Sequence, residues 1–388
     1  MPDRSYFDWN ATTPLRPQAA AAMQAALAVG GNPSSVHAEG RAARHVVEHA
    51  REQVAALVGS RAADVFFTSS GTEANMLALT PAIETASEKR PRGKLLISAI
   101  EHSSVRSGGR FPRDAVADVP VDAAGRIDLA ALEAAVGGAP RPLVSIMLAN
   151  NETGVVQPVA EAAAIVHAAG GLLHVDAVQA VGRIAVDAVA LGADLLTLSA
   201  HKIGGAKGVG ALIRRNEDIH IADPLIRGGG QERGMRAGTE NVAGIAAFGA
   251  AAAAAGESFA VEGARMLALR NALESGLKAI APQTVIFGEE ADRLPNTTLF
   301  AAEGLKAGTA VITFDLEGIA VSSGAACSSG KVQPSHVLAA MGVSPALLRG
   351  AVRVSLGWNT TETDLETFLN AWRKLATALS KGRSGIAA

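Results

Sequence analysis

The sequence has only one cysteine and no marked excess of either charge. A single cysteine excludes an intrachain disulfide framework, a CxxC redox pair and a four-cysteine metal site. The 388 residues include 35 Lys and Arg against 37 Asp and Glu, which gives a formal net charge of -2. This balance argues against a protein that binds nucleic acid or a membrane surface, because such proteins carry a basic excess or basic runs.

The sequence also lacks a long apolar run. The longest apolar stretch, Ile245–Ala255, is mostly alanine and falls short of the ~20 residues needed to span a bilayer. The N-terminal stretch MPDRSYFDWN is polar and lacks the basic and then apolar segments of a secretion signal. These features predict a soluble, cytoplasmic globular protein.

What is present indicates a mainly parallel α/β sheet. Helical segments such as Arg41–Leu57 and Leu129–Val136 separate most of a series of short apolar segments that are rich in β-branched residues. Strands that are apolar throughout, with helices between them, predict a sheet covered on both faces, and ligands bind such sheets beyond the carboxyl ends of the strands. The predicted strands are Val65–Thr68, Leu95–Ser98, Leu143–Leu148, Leu172–Asp176, Leu195–Ser199 and Val209–Ile213.

The pattern changes after about Gly249, which predicts a smaller α+β domain after a large α/β domain. A helical run over Val261–Ile280 precedes several short apolar segments, and a final helix extends from about Thr363 to Leu379. Between them lie the apolar segments Thr284–Phe287, Asn296–Phe300 and Ala310–Phe314, and a loop of small residues over Ser322–Gly330.

The first candidate site lies in FTSSGTEAN, Phe67–Asn75, where a strand ends and a helix begins near Thr72. A helix start offers free backbone N–H groups and the positive end of the helix dipole, and it therefore attracts anions. Gly71 and Thr72 would contact a phosphate there, through an N–H group and a hydroxyl. An ordinary helix cap explains the same residues equally well.

The second candidate site is HVDAVQ, His174–Gln179, where Asp176 ends an apolar strand. A charge at that place is unfavourable unless it is paired. The carboxylate could hold a cationic partner such as a protonated pyridine nitrogen, with Gln179 as a second polar contact. The alternative is an aspartate that caps the following turn.

The third candidate site is SAHKIGGAKG, Ser199–Gly208, where Lys202 follows another strand end with Ser199 and His201 beside it. A lysine in a pocket with little water loses its proton more readily and can form a Schiff base with an aldehyde. Taken alone, a surface lysine in a glycine-rich turn is the simpler interpretation.

Together, a phosphate site, an acid at a strand end and a lysine are the parts that hold pyridoxal 5'-phosphate. With these residues the sequence resembles the class V aminotransferase family, and within it the cysteine desulfurases of the NifS/IscS type. The resemblance covers nearly the whole chain. It is carried by YFDWNATTPLRP, GNPSSVH, SAHKIGGAKGVGAL, GGGQERGMRAGTEN, SSGAACSSGKVQPSHVL and RVSLGWNTT.

The resemblance implies a pyridoxal-phosphate-dependent transferase of fold type I. Its large domain would span residues 16–250 with a mainly parallel seven-stranded sheet, and the small α+β domain would combine residues 1–15 and 251–388. The same resemblance implies a homodimer. The implied cofactor contacts are Lys202 as the Schiff base, Asp176 and Gln179 at the pyridine ring, His102 stacked over that ring, and Gly71, Thr72, Ser199, His201 and the other subunit's Thr239 at the phosphate. Asn151 is implied as a further cofactor contact.

The resemblance also implies a reaction and the residues that perform it. Asn151 and Arg353 would hold the carboxylate of L-cysteine, and Arg suits this task because its fork binds both oxygens. His102 would move protons, and it is a candidate acceptor for a thiol proton. The products would be L-alanine and a persulfide on Cys327, whose sulfur passes to an acceptor such as an iron–sulfur scaffold.

Cys327 is the decisive residue for this reaction. A lone cysteine is more often a small buried apolar residue than a nucleophile. Here it lies in SSGAACSSGK, a stretch too small and too polar to form core, and it matches the persulfide-carrying cysteine of the family. No intrinsic metal site is implied, although Cys327 would contact an iron–sulfur cluster during transfer.

Other activities share most of these residues. The alternatives are a selenocysteine lyase, a cysteine sulfinate desulfinase and another class V aminotransferase, and the last would have no use for Cys327. A non-catalytic scaffold with the same fold is expected to lose the lysine, the acid or the cysteine, and the sequence retains all of them.

Overall fold

The computed structural model describes residues 4–324 and 334–384, with side chains described up to residue 380. Its strands are β1 Ser5–Tyr6, β2 Val65–Thr68, β3 Ile83–Glu84, β4 Lys94–Ser98, β5 Val116–Val119, β6 Pro142–Met147, β7 Leu172–Asp176, β8 Leu195–Ser199, β9 Gly210–Arg214, β10 His220–Ile221, β11 Val285–Ile286, β12 Thr297–Ala301, β13 Ile319–Ala320, β14 Ser322–Ser323 and β15 Val352–Ser355. Its helices are α1 Pro17–Leu27, α2 Ala38–Leu57, α3 Gly71–Ala78, α4 Ser103–Arg106, α5 Leu129–Gly137, α6 Val159–Ala168, α7 Val242–Ile280, α8 Ala307–Leu316, α9 His336–Ala340, α10 Pro345–Leu348 and α11 Glu362–Ser384.

A seven-stranded sheet forms the centre of the larger part of the fold, in the order β2-β9-β8-β7-β6-β4-β5. All neighbouring pairs are parallel except those of β9, which is antiparallel to both β2 and β8. Strands β6, β7 and β8 are buried along their whole length, as their uninterrupted apolar sequences predict. The predicted mainly parallel α/β sheet is therefore confirmed.

The sequence pattern missed one strand of this sheet. Strand β5 lies at the edge, pairs only with β4 among the described strands, and has one exposed residue, Asp118. Because one edge of β5 faces solvent, the residues of β5 need not be apolar throughout. The run of apolar residues that identifies a buried strand is therefore weak in β5.

Helix α7 is a single element of 39 residues that packs along α1 and α2 on one side of the sheet. Within the described residues it is the one helix long and apolar enough to cross a membrane, but 56% of its most apolar window is buried inside the protein. That burial is typical of a core helix. The predicted domain boundary at 250/251 falls within this continuous helix.

A second, four-stranded antiparallel sheet, ordered β11-β12-β15-β14, carries the C-terminal part of the fold. Its core includes Phe300, Phe368 and Trp372, packed against the second half of α7. Strand β1 pairs with β13 in parallel register, and Phe7 joins this core. The N-terminal residues therefore pack with the C-terminal part, and the division into two domains stays a prediction.

The third apolar segment of the C-terminal half, Ala310–Phe314, is helical and belongs to α8. The buried residues of α8 are Ala307, Ala310 and Phe314, and this spacing lies along one helical face rather than alternating as in a strand. The segments Thr284–Phe287 and Asn296–Phe300 do contain strands, β11 and β12.

Candidate active site

The candidate phosphate cradle is the N-terminus of α3. Ser70 caps the helix by accepting a hydrogen bond from the Glu73 N–H at 3.1 Å, which leaves the N–H groups of Gly71 and Thr72 without acceptors inside the helix. Gly210 on the neighbouring β9 allows this approach, since a Cβ there would lie 2.4 Å from the Ser70 carbonyl carbon. The cap therefore leaves the predicted anion site available.

Asp176 ends β7 as a buried carboxylate that two donors hold. Its Oδ2 accepts from Asn75 Nδ2 at 2.9 Å, and its Oδ1 accepts from the Val178 N–H at 3.0 Å. These bonds orient the carboxylate and compensate in part for its removal from water.

Lys202 lies in a short 3-10 turn, Ala200–Lys202, directly after β8. Its ammonium donates to the carbonyl oxygens of Asn10 and Ala11, and Thr13 Oγ1 donates to the Lys202 carbonyl at 2.8 Å. The N-terminal segment therefore holds both the backbone and the tip of this lysine.

The surroundings of two histidines of the site lower their pKa values. His102 is half-buried at the start of α4, and burial, followed by the charges of Lys202 and His336, lowers its pKa against the opposing effect of Asp176. Burial lowers the pKa of His201 to about 4, with help from Lys202, Lys207 and Arg183. A neutral His201 can donate to an anion from one ring nitrogen only, while its Nδ1 lies 3.1 Å from Thr12 Oγ1.

Gln179 follows β7 and is fixed at both ends of its amide. Its Nε2 donates to the Asn10 carbonyl at 2.9 Å, and its Oε1 accepts from Arg183 Nη1 at 2.8 Å. Asn10 therefore joins Gln179 to Lys202, because both side chains donate to the same carbonyl oxygen.

These groups share one cleft of about 210 Å³ beyond the carboxyl ends of β7 and β8. The cleft unites nine of the residues singled out from the sequence: Gly71, Thr72, His102, Asn151, Asp176, Gln179, Ser199, His201 and Lys202. Their convergence follows from the topology, since parallel strands present their carboxyl ends at one edge of the sheet.

Arg353 is not among the residues that line this cleft, but it reaches the cleft through Asn151. The Arg353 side chain on β15 is 2% exposed and donates to the Asn151 carbonyl at 2.9 Å and to Asp8 Oδ1 at 2.8 Å. Its Nε has no hydrogen-bond partner within the described part of the chain. A buried guanidinium with a spare donor suits a carboxylate ligand.

Two other predicted site residues lie elsewhere. Thr239 is exposed and does not line the cleft of its own chain. It lines a separate cavity with Glu232, Arg236 and the C-terminal end of β2. Cys327 lies outside the described residues. Among the residues that are described, no cluster of three or more His, Cys, Asp and Glu could hold a metal ion.

The structure adds polar residues that the sequence analysis did not single out. Asn75 and Ser104 line the cleft, and Asn10 contacts Gln179 and Lys202. The spacing of Asn75 from Thr72, one turn along α3, was the available signal for a residue on the same helical face. The roles of Ser104 and Asn10 depend on contacts between distant segments.

Comparison with known proteins identifies the family. The family model described as Aminotransferase class-V matches residues 5–368, and the chain belongs to that family. It is 43% identical over 377 residues to a cysteine desulfurase of Cereibacter sphaeroides, covering 95% of this chain and 94% of the relative. It is 40% identical over 376 residues to the cysteine desulfurase IscS of Dictyoglomus turgidum, with the same shares covered, 95% and 94%.

A solved structure agrees with these relatives. The NifS-like protein of Rickettsia africae superposes with a TM-score of 0.85 at 36% identity, covering 96% of this chain and 99% of that one. The resemblance to the NifS/IscS type and the fold expected from it are therefore confirmed.

Proposed function

We propose that this protein is a cysteine desulfurase, which takes sulfur from L-cysteine, releases L-alanine and carries the sulfur as a persulfide on Cys327. The observation that carries the proposal is the single cleft in which the Lys202 amine, the Asp176 carboxylate and the N-terminus of α3 converge. The cysteine desulfurases to which the chain is similar match it over nearly its whole length.

The residues of the cleft fit pyridoxal 5'-phosphate. The N–H groups of α3, Thr72, Ser199 and His201 supply donors for a phosphate, and Asp176 supplies an acceptor for a protonated ring nitrogen. When bound, this cofactor supplies an aldehyde for an amine and withdraws electrons from the α-carbon of an amino acid.

The side chains then have separate tasks. Lys202 would hold the cofactor through its amine, and its Nζ would accept the α-proton of the substrate. Asp176 would accept a hydrogen bond from a protonated ring nitrogen, and its bonds from Asn75 and Val178 hold it in place for that task. Arg353 and Asn151 receive the substrate carboxylate.

Cys327 completes the transfer. Its thiolate attacks the substrate sulfur, so that the substrate's carbon–sulfur bond breaks and a sulfur–sulfur bond forms on Cys327. Protons then return to the remaining carbon skeleton, which leaves as alanine. The persulfide passes to a sulfur acceptor, for which an iron–sulfur scaffold is our proposal, because a relative bears the name IscS.

We further propose that the protein works as a homodimer in the cytoplasm. Thr239 lines a cavity apart from the cleft of its own chain, which suits a residue that serves the partner's phosphate site. A reducing compartment would keep the Cys327 thiol available for the next turnover.

The test is a product assay on purified, cofactor-loaded protein given L-cysteine and a reductant. We expect alanine and sulfide in equal amounts, and we expect both to be lost in Cys327→Ala while the cofactor absorbance still responds to cysteine. If Cys327→Ala still forms alanine and sulfide, Cys327 is excluded as the sulfur acceptor. Reaction only with selenocysteine or cysteine sulfinate would favour those alternative activities.

A further inference from the structure

A continuous set of hydrogen bonds joins His102 to Asp176 through Ser104 and Asn75, and of these two residues only Asn75 has been given a task so far, that of holding Asp176. His102 Nδ1 lies 2.8 Å from Ser104 Oγ, and Asn75 Nδ2 lies 2.9 Å from the same hydroxyl oxygen. Asn75 Nδ2 also lies 2.9 Å from Asp176 Oδ2. Asn75 is 1% exposed and its bond to Asp176 is buried, while the two bonds of the Ser104 hydroxyl are partly buried.

The direction of each bond follows from which atoms can donate. Asp176 is a carboxylate and accepts, so the Asn75 atom that faces it must be the amide nitrogen. That nitrogen has two hydrogens, and its second bond therefore donates to Ser104 Oγ. A hydroxyl that accepts from Asn75 has its own proton left to donate, and His102 Nδ1 is the ring nitrogen within reach.

A second donor points at the same ring nitrogen. The backbone N–H of Ser104 donates to His102 Nδ1 at 3.2 Å, as the capping bond of α4. A backbone N–H is a donor only, so Nδ1 must offer its lone pair to both groups of Ser104.

We propose that Ser104 and Asn75 are positioning residues that fix His102 in the tautomer with its proton on Nε2. A proton on Nδ1 would meet the Ser104 N–H head-on and would force the Ser104 hydroxyl to turn away from its bond. The neutral ring also agrees with the lowered pKa of His102, which burial and the nearby charges of Lys202 and His336 cause.

This inference rests on the proposed function for its consequence in the reaction. With Nε2 protonated and Nδ1 covered by Ser104, resting His102 is a hydrogen-bond donor at Nε2 and not a base there. The neutral ring therefore polarises a group beside Nε2, and the thiol proton of Cys327 has to be taken by another acceptor. This revises the expectation that His102 accepts that proton.

The tautomer can be measured directly by nitrogen NMR of the holoenzyme labelled with ¹⁵N-histidine, with His102 signals assigned by their absence in His102→Gln. We expect a protonated-type signal for Nε2 and an unprotonated-type signal for Nδ1. In Ser104→Ala one of the two donors is lost, so the two signals should move toward each other. Ser104→Thr keeps the hydroxyl and should restore the wild-type positions.

Ser103→Ala is the matched control, because Ser103 is the neighbouring exposed serine of α4 and its side chain takes no part in these bonds. It should leave both His102 signals in place. A wild-type signal showing the proton on Nδ1, or unchanged signals in Ser104→Ala, would overturn the proposal. Neither result depends on turnover, so failure here is distinct from a failure to produce alanine.

Discussion

At the scale of single residues, the sequence identifies charged side chains at strand ends but not the neutral groups that hold them. Asp176 and Lys202 stand out because a charge directly after a buried strand needs a partner. Asn75 and Ser104 do not stand out, because their importance lies in distances to atoms on other segments. The titration of a buried carboxyl such as Glu152 likewise depends on packing that the sequence alone does not reveal.

Glu152 gives a prediction about pH. It is fully buried beside the cleft residue Asn151, and burial raises its pKa to about 7, although the Ser335 hydroxyl and Arg353 oppose this. Between the ordinary value of 4.5 and about 7 the folded state holds a proton that the unfolded state has lost, so stability falls as pH rises through that window.

The side chain in Glu152→Gln cannot ionise, so the stability of this variant should not fall with pH for this reason. Relative to wild type, its free energy of unfolding should gain about 2 kcal/mol between pH 5 and pH 7, because the slope approaches ~1.4 kcal/mol for each pH unit only between the two pKa values. Urea unfolding of both proteins across this range measures the difference. Glu133→Gln, an exposed site on α5, is the control. If the free energies of unfolding of wild type and Glu152→Gln change with pH in the same way, the prediction is contradicted.

At the scale of elements, the apolar pattern finds buried strands and fails where burial is one-sided or the residue spacing is ambiguous. The edge strand β5 was missed, and the helical nature of Ala310–Phe314 was not recognised, for these two reasons. The alanine-rich helix α7 was recognisable, but how closely it approaches α2 was not, because that depends on individual glycines.

Gly249 and Gly256 in α7 give opposite predictions for the same substitution. A Cβ on Gly249 would lie 2.5 Å from the Ala50 Cα on α2, so Gly249→Ala must push the two helices apart and should lower the free energy of unfolding by about 1–3 kcal/mol. A Cβ on Gly256 would lie 3.5 Å from Leu57 Cδ1, an ordinary contact. Gly256→Ala should therefore stabilise the helix by up to ~1 kcal/mol. Thermal and denaturant unfolding check both, and equal effects would contradict this account of the packing.

A buried ion pair holds the segment that carries Thr239 against β2. Glu232 accepts from Arg51 Nη1 at 2.7 Å, from Arg51 Nη2 at 2.9 Å and from the Phe67 N–H at 2.8 Å. Glu232 and Arg233 both have positive φ, 46° and 55°, so the pair also maintains an unfavourable backbone conformation.

Removal of one partner of the Arg51–Glu232 ion pair should therefore destabilise the folded protein strongly. Arg51→Met leaves the Glu232 carboxylate buried without its cation and should lower the free energy of unfolding by about 3–5 kcal/mol. Arg51→Met with Glu232→Met should recover part of that loss. Arg90→Met breaks the exposed pair with Glu88 and should change stability little, so a similar loss in this control would contradict the explanation.

At the scale of the whole molecule, the fold could be predicted from the sequence because parallel topology follows from apolar strands alternating with helices. The convergence of the site also follows from that topology. The position of Thr239 does not, because its proposed target belongs to another copy of the chain.

Mixed dimers test that proposal. Lys202→Ala and Thr239→Ala should each impair the homodimer, the first by removing the amine and the second by weakening the partner's phosphate site. In a dimer with one subunit of each kind, one site has an intact Lys202 and receives an intact Thr239 from the other subunit. Co-expression with two affinity tags should therefore restore activity, and no recovery in the purified mixed dimer would contradict a shared site.

The most direct test of sulfur transfer to Cys327 follows one sulfur atom. Holoenzyme in excess is mixed with a limiting amount of L-cysteine without reductant, and the peptide that contains Cys327 is examined by mass spectrometry while alanine is counted. We expect one added sulfur on Cys327 for each alanine formed. Alanine without that added sulfur, or sulfur on no residue at all, would contradict the claim that this protein is a desulfurase acting through Cys327.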